Sequence, residues 1–204
     1  INGKVGATTI SSLKVDAFII GFNHNSGKEG NNRIHFLLGK ISGKFVGLVD
    51  SSYGSTTSTS GAFTMNTSST NSGGWGSSQM RSKVLGSASS PTSPTANTLL
   101  AALPSDLRAV MKSCTKYTDN EGGGNTASNV SSTTDYLFLL SEYEVFATHQ
   151  YCNDAEPNYQ AQYDYFKAGN SKVANKHSAT GTAAVWWLRS PYYYYLLSDN
   201  FCAV

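Results

Sequence analysis

The chain ends in an apolar, strand-like run followed by four consecutive tyrosines, and this feature constrains the fold more than any other. The run spans residues 185–191 and reads VWWLRSP. Two adjacent tryptophans and a leucine predict a buried strand that ends at Pro191, because proline cannot donate a hydrogen bond to a sheet. We therefore expect both tryptophans and the leucine to be mostly buried in a central strand, with Phe138 and Phe166 among their neighbours.

The tyrosines that follow, Tyr192 to Tyr195, exceed what a core needs. Side chains alternate between the two faces of a strand, so burying two of these rings would leave the other two on the surface. One interpretation is a tyrosine-rich strand in a sheet that is covered on both faces. We favour a binding surface, because tyrosine combines a wide contact area with a hydrogen-bonding hydroxyl and a low entropy cost.

The motif WWLRSP at 186–191 resembles the fixed sequence that precedes the variable region in target proteins of diversity-generating retroelements. Such proteins have a C-type-lectin-like fold related to the formylglycine-generating enzymes, and they occur in gut bacteria and their phages. Other segments resemble landmarks of that family, in the expected order: GFNHN at 21–25, GGW at 73–75 with QMR at 79–81, LPSDLR at 103–108, and DYLFLLS at 135–141 with Glu144 and Val145. The resemblance covers roughly residues 14–204.

The resemblance implies that residues 192–204 begin the variable region. Adenine randomisation of AAC codons cannot produce Lys, Glu, Gln, Met or Trp, and residues 192–204 contain none of these. Fixed-looking Ser198, Phe201, Cys202 and Val204 are interspersed among the variable positions. The residues implied to bind ligand are Tyr192, Tyr193, Tyr194, Tyr195, Leu196, Leu197, Asp199, Asn200 and Ala203. The family's closing strand is absent and the chain starts at Ile1, so we expect the natural protein to continue beyond both ends.

Length and local pattern predict a single α+β domain over residues 1–204, with short helices, small antiparallel sheets and long loops. This prediction is compatible with a C-type-lectin-like fold, although only the resemblance selects that fold. Charged residues make up 14% of the chain, against roughly 25% in a typical soluble domain. Solubility therefore depends on Ser, Thr, Asn and Gly, as is common in extracellular and virion proteins.

The local patterns predict individual elements along the chain. Residues 51–79 contain 23 Ser, Thr, Gly or Asn in 29 positions, but Phe63, Met65 and Trp75 favour an ordered loop attached to the core over a linker. The predicted strands are 14–22, 34–38, 45–49 and 136–140. The predicted helices are one capped by Ser77 or Ser78 and ending near Leu85, one over 96–112 broken at Pro104, one capped by Ser141, and one over 158–168.

Several function classes are excluded by charge, length and motif content. The net charge of +2 without a basic cluster gives no case for a nucleic-acid partner, and the longest apolar runs are too short for membrane insertion. Cys114, Cys152 and Cys202 form neither a disulfide framework nor a metal pattern, so buried free thiols are expected, as in a protein made in the bacterial cytoplasm. His149 and Cys152 have a spacing that could begin a metal site, but no second pair follows.

We therefore expect no catalytic residues, no cofactor and no metal, since no nucleophile, phosphate-loop or dinucleotide motif is present. The resemblance implies a receptor-binding or adhesion protein of a phage tail virion or a bacterial cell surface, whose partner is a protein or glycan on a cell surface. An invariant structural component of a virion or cell surface, packed against other virion or surface subunits, is the alternative.

Overall fold

The computed structural model of the protein describes residues 1–48, 63–68, 70–120 and 126–192, together with the backbone of residues 201–203. Short helices and two-stranded antiparallel sheets give these residues an α+β architecture, as predicted. The strands are β1 (Gly3–Val5), β2 (Thr8–Ile10), β3 (Ala17–Phe22), β4 (Ile34–Leu38), β5 (Lys40–Ile41), β6 (Lys44–Phe45), β7 (Cys114–Asp119), β8 (Val130–Asp135), β9 (Ala174–Asn175), β10 (Ala183–Ala184), β11 (Trp187–Pro191) and β12 (Phe201–Ala203). Each odd-numbered strand pairs with the strand that follows it.

The helices are equally short. They are α1 (Ser26–Glu29), α2 (Gly74–Ser77), α3 (Leu99–Ala102), α4 (Ser105–Val110), α5 (Glu142–Phe146) and α6 (Asp164–Lys167), with a π-helix over Met80–Leu85 and 3-10 helices over Ala127–Asn129 and Glu156–Tyr159. None of the helices in the described part of the chain has the length and apolar character needed to cross a membrane.

The β3–β4 hairpin confirms two predicted strands, and β4 has the predicted bounds. Its register pairs Ile19 with Phe36 and Phe22 with Ile34, with an irregularity between residues 19 and 21. All four of these apolar side chains are exposed. Strand periodicity therefore located the hairpin correctly, while this face of it is left uncovered by the described residues.

The strand predicted over residues 136–140 is wrong, because pairing stops before it begins. Strand β8 pairs with β7 along its whole length, from Asp135 opposite Cys114 to Val130 opposite Asp119. Among the described residues, the apolar segment 136–140 then continues without a ladder partner, and its last residue, Leu140, is buried. An apolar run indicates that a segment is buried against the core, and a buried segment does not have to form sheet hydrogen bonds.

The structure agrees with the predicted helix boundaries at Pro104 and Ser141 but contradicts one predicted helix length. Pro104 separates α3 from α4, as predicted. Ser141 caps α5 by accepting a hydrogen bond from the Glu144 backbone N–H, while the Glu144 side chain accepts one from the Ser141 N–H. The continuous helix predicted over 158–168 is wrong: a 3-10 helix ends at Tyr159 and α6 begins at Asp164.

The core consists of two apolar clusters. The first contains Val5, Ile10, Met65, Trp75, Met80, Val84, Leu85, Leu99 and Ala102. The second contains Ile20, Leu140, Val145, Tyr163, Phe166 and Leu188, and Phe138 packs against both clusters. Burial of Met65 and Trp75 agrees with attachment of the later part of the predicted loop to the core, while residues 51–62 of that prediction lie outside the described part of the chain.

The prediction for the tryptophan motif holds in part. Leu188 is buried in the same cluster as Phe166, with Phe138 packed against it, as expected. Trp186 and Trp187 are only partly buried, and β11, which begins at Trp187, belongs to a two-stranded sheet in which no strand is central. Cys114 is a buried free thiol, as predicted, and Cys152 is buried as well.

Candidate functional site

The predicted ligand-binding residues fall mainly outside the described part of the chain. This applies to Tyr193, Tyr194, Tyr195, Leu196, Leu197, Asp199 and Asn200, whereas Ala203 is described only as backbone in β12. Tyr192 is half-buried, and its ring lies 5.1 Å from that of Tyr151 between centroids. Its carbonyl oxygen accepts a hydrogen bond from Asn71 Nδ2 at 3.2 Å.

Both ends of this segment are attached to a paired strand. The antiparallel pair β11–β12 places Trp187 opposite Ala203 and Pro191 opposite Phe201. Residues 192–200 therefore connect two positions that face each other across a sheet. The start of the predicted variable region lies where β11 leaves the core, immediately after buried Leu188, Arg189 and Ser190.

Arg189 attaches β11 to the scaffold. Its guanidinium is fully buried and donates to both carboxylate oxygens of Glu144, from Nη1 to Oε2 at 2.5 Å and from Nη2 to Oε1 at 2.9 Å. Nη1 also donates to the Leu139 carbonyl at 2.8 Å, and Nε donates to Thr118 Oγ1 at 3.0 Å. The Arg189 backbone N–H donates to the Leu140 carbonyl at 2.8 Å. One residue thus connects β11 with β7, the 136–140 segment and α5.

Glu144 is the centre of this network. Burial alone would raise the pKa of its carboxyl group, but Arg189 and Lys116 outweigh that effect and hold the pKa well below its usual value. Because Glu144 is also the third residue of the capped first turn of α5, its carboxylate bonds to the Ser141 N–H as well. Local helix-capping chemistry and long-range ion pairing therefore use the same side chain.

Lys116 is a second fully buried cation in the network. Its ammonium donates to Glu29 Oε2 at 2.6 Å, to Glu144 Oε1 at 2.9 Å and to the Tyr163 hydroxyl at 2.9 Å. The ammonium also lies 4.3 Å from the centroid of the Phe138 ring. Three hydrogen bonds satisfy the three ammonium donors, which is the condition under which a buried charge is tolerated.

Neutral polar groups surround the charged pairs. The His24 ring stacks on Tyr163 with a centroid distance of 3.6 Å, and its Nε2 lies 3.7 Å from Glu29 Oε1. His35 Nδ1 bonds to the Tyr163 hydroxyl at 2.8 Å, and Cys114 Sγ donates to Glu29 Oε2 at 3.3 Å. Burial lowers the pKa of His24 to about 3 and that of His35 to about 4, so both rings are neutral at physiological pH.

Glu29, His35 and Cys114 present ligand atoms within 4.8 Å of one another, as a metal site would. The chemistry of this donor set opposes a divalent cation. The Lys116 ammonium already neutralises Glu29, and burial raises the pKa of Cys114 to about 12, so that the sulfur stays a thiol. We therefore interpret the cluster as an internal brace for the scaffold.

The other landmark segments surround a second buried carboxylate. Asp135 accepts hydrogen bonds from the Trp75 indole N–H at 2.9 Å and from Arg81 Nε at 2.9 Å. Gly74 has a φ of +54°, and a Cβ atom there would lie 2.0 Å from the Asp119 carbonyl oxygen. Only glycine fits this position, so the GGW sequence is required for Trp75 to reach Asp135.

The sequence identified the WWLRSP motif but did not predict that its arginine, Arg189, forms a buried ion pair. The buried side chains Glu29, Lys116 and Arg189 come from α1, β7 and β11, and nothing in their spacing brings them together. The available signal was Arg189 itself, a charge placed between an apolar run and a proline. Its partner Glu144 carried a local signal as well, because it stands three residues after a helix-capping serine.

The described residues form an α+β scaffold with an internal ionic brace. Strands β11 and β12 of this scaffold pair with each other, and residues 192–200 join them in sequence. The chain belongs to the family described as a domain of unknown function (DUF6273), which matches residues 56–204. No curated protein and no solved structure shows significant similarity to the chain.

Proposed function

We propose that this protein is a ligand-binding display protein whose tyrosine-rich segment, starting at Tyr192, contacts a protein or glycan on a cell surface. The observation that carries the proposal is the attachment of both ends of residues 192–200 to paired strands, with Arg189 fixing one strand to Glu144. A segment held at both ends loses less conformational entropy on binding than a free tail does.

The chemistry of the segment supports the same proposal. Tyrosines dominate residues 192–197, and no charged side chain occurs there. Tyr192 already packs against Tyr151, which comes from outside the segment, so the scaffold contributes an aromatic ring beside the tyrosine run. Aromatic rings that carry a hydroxyl suit both protein surfaces and sugar rings.

The finer identity belongs to the same proposal. We propose a C-type-lectin-like fold and a variable region that is diversified by a retroelement, in a phage tail or on a bacterial surface. Binding rather than catalysis would then be the activity. The supporting observation is that Arg189 of the WWLRS motif lies in the ionic brace and Leu188 in the apolar core, which lets the scaffold stay constant while the following residues change.

A binding experiment tests the proposal directly. The protein and its Tyr193→Ser/Tyr194→Ser/Tyr195→Ser variant would be applied to a glycan array and to a panel of intact gut bacteria. We expect the unmodified protein to bind a restricted set of glycans or strains, and the triple variant to lose that binding. The matched control is Val110→Ser/Val173→Ser, which removes two exposed apolar side chains elsewhere and should leave binding unchanged.

The encoding locus separates display from a fixed structural role. A near-copy of the sequence for residues 192–204 that differs at adenines, beside a reverse-transcriptase gene, is expected for a diversified protein. Absence of such a copy, together with assembly of the protein into a particle through its tyrosines, would instead identify an invariant structural subunit.

A further inference from the structure

A cavity of about 260 Å³ lies between the two apolar core clusters. Val84 of the π-helix forms part of its inner wall, and Phe138 contributes from the segment that packs against both clusters. Trp186 and Trp187 form another part of the wall. The partial burial of these tryptophans follows from this position, because their rings face a space that no described side chain fills.

The lining restricts the chemistry of an occupant. None of the described residues that line the cavity carries a charged side chain. The indole N–H of Trp186 donates to the Lys172 carbonyl at 3.1 Å, so this ring offers the cavity its apolar surface. An ionised group placed here would lose its hydration without gaining a partner, which excludes charged ligands.

Size and access favour a small molecule. An engineered apolar cavity of roughly 150 Å³ stays dry and binds benzene, so about 260 Å³ leaves room for two fused or linked aromatic rings. Phe36 and Val185 also line the cavity, and they are 52% and 50% exposed, so they lie at a rim that solvent reaches. An empty apolar cavity opposes folding because its lining lacks contacts on one side, and an apolar ligand restores them.

The segment that joins two of the lining residues has a sequence that offers little to fill this space. Residues 49–62 join two lining residues, Leu48 and Phe63, and they lie outside the described part of the structure. Their sequence is VDSSYGSTTSTSGA, in which Val49 and Tyr53 are the only large apolar or aromatic side chains. Serine and threonine are poor substitutes for an apolar ligand, because each would bury an unpaired hydroxyl.

We propose that this cavity is a binding site for an uncharged apolar small molecule of about the size of a two-ring aromatic compound. Tyr192 does not line this cavity, whereas Trp187, which does, is the first residue of the strand β11 that leads to the tyrosine-rich segment. Occupancy stabilises the fold by mass action, because the unfolded chain has no such cavity.

Prodan, a neutral naphthalene dye with two fused aromatic rings, is a suitable probe, since its emission brightens and shifts to the blue in apolar surroundings. Titration into the full chain should give saturable fluorescence with one dye per chain and energy transfer from tryptophan. Val84→Phe, which places a ring into the cavity, should weaken binding by about tenfold or more. Phe36→Asp, which puts a charge at the rim, should weaken it similarly and should leave the fold intact because Phe36 is half exposed.

Two matched controls distinguish the cavity from the exposed hairpin face. Phe22 lies on the same uncovered face of β3–β4 but does not line the cavity, so Phe22→Asp should leave dye binding unchanged. Dimethylaminonaphthalene sulfonate, a charged dye with the same two fused rings, should bind about tenfold more weakly than the neutral dye. Unsaturable binding, equal affinity for both dyes, or equal loss with Phe22→Asp and Phe36→Asp would overturn the proposal, as would a folded Val84→Phe variant with full affinity.

Discussion

At the scale of single residues, Arg189 is the side chain on which the scaffold depends most. Replacing it with methionine leaves the Glu144 carboxylate buried with Lys116 as its remaining cationic partner. We expect Arg189→Met to lower the free energy of unfolding by about 3–5 kcal/mol in urea denaturation, because breaking a buried ion pair leaves a buried charge without one of its partners. Arg108→Met is the control: this arginine donates to the Leu103 and Pro91 carbonyls and pairs with no acid in the described residues. Equal effects of the two substitutions would show that the Arg189–Glu144 pair is dispensable.

His24 predicts a pH dependence whose sign follows from its environment. Burial lowers the pKa of the folded His24 to about 3, against 6.5 for the unfolded chain, so only the unfolded chain takes up a proton between these values. Its contribution to stability is present above about pH 6.5 and is lost as the pH falls, amounting to roughly 2 kcal/mol at about pH 5. His24→Phe keeps a ring stacked on Tyr163 and removes this loss.

The measurement compares the two proteins with each other, since other groups titrate in the same range. Burial raises the pKa of Glu156 to about 7, which acts in the opposite direction, but both proteins carry Glu156 and its effect cancels. Urea unfolding at about pH 8 and about pH 5 should show the stability of His24→Phe, relative to the unmodified protein, rising by roughly 2 kcal/mol on acidification. An unchanged difference would mean that His24 is protonated in the folded protein.

At the scale of elements, the cap of α5 connects local and long-range structure. Ser141 accepts a hydrogen bond from the Glu144 N–H at 3.1 Å and donates to Gln160 Oε1 at 2.7 Å. We expect Ser141→Ala to lower the free energy of unfolding by about 1–2 kcal/mol, as loss of a helix cap does. The control is Ser105→Ala in the first turn of α4, where the capping position is Pro104 and the serine is exposed. Thermal unfolding of both variants measures the difference, and a cost no larger at position 141 than at position 105 would contradict it.

The elements that sequence located well are those with local determinants. A capping serine fixes the start of α5, Pro104 separates α3 from α4, and a short, mostly apolar run that ends before Gly39 identifies β4. The failures have a different physical origin. Residues 136–140 are apolar because they contact the core, and whether they also pair depends on where a distant strand lies, which no local pattern specifies.

At the scale of the whole molecule, sequence predicted the α+β class but not the division of its core. Two clusters meet at Phe138, and a network of buried charges contributed by α1, β7, α5 and β11 lies beside this contact. Composition could not reveal that network. Charged residues make up only 14% of the chain, and which of them are buried depends on tertiary packing. The internal brace reaches β11 through Arg189, and the tyrosine-rich segment begins directly after that strand ends at Pro191.

This separation predicts that stability and binding respond to different tyrosines. Tyr193→Ser/Tyr194→Ser/Tyr195→Ser should change the free energy of unfolding by no more than roughly 0.5 kcal/mol per site, as expected for contact residues outside the brace. Tyr163→Ser is the matched control: this ring is fully buried, and its hydroxyl bonds to Lys116 and His35, so its loss should cost about 3–5 kcal/mol. Thermal and urea unfolding of both variants measure the contrast. If the triple variant unfolds as readily as Tyr163→Ser, the tyrosine run belongs to the core and the display proposal fails.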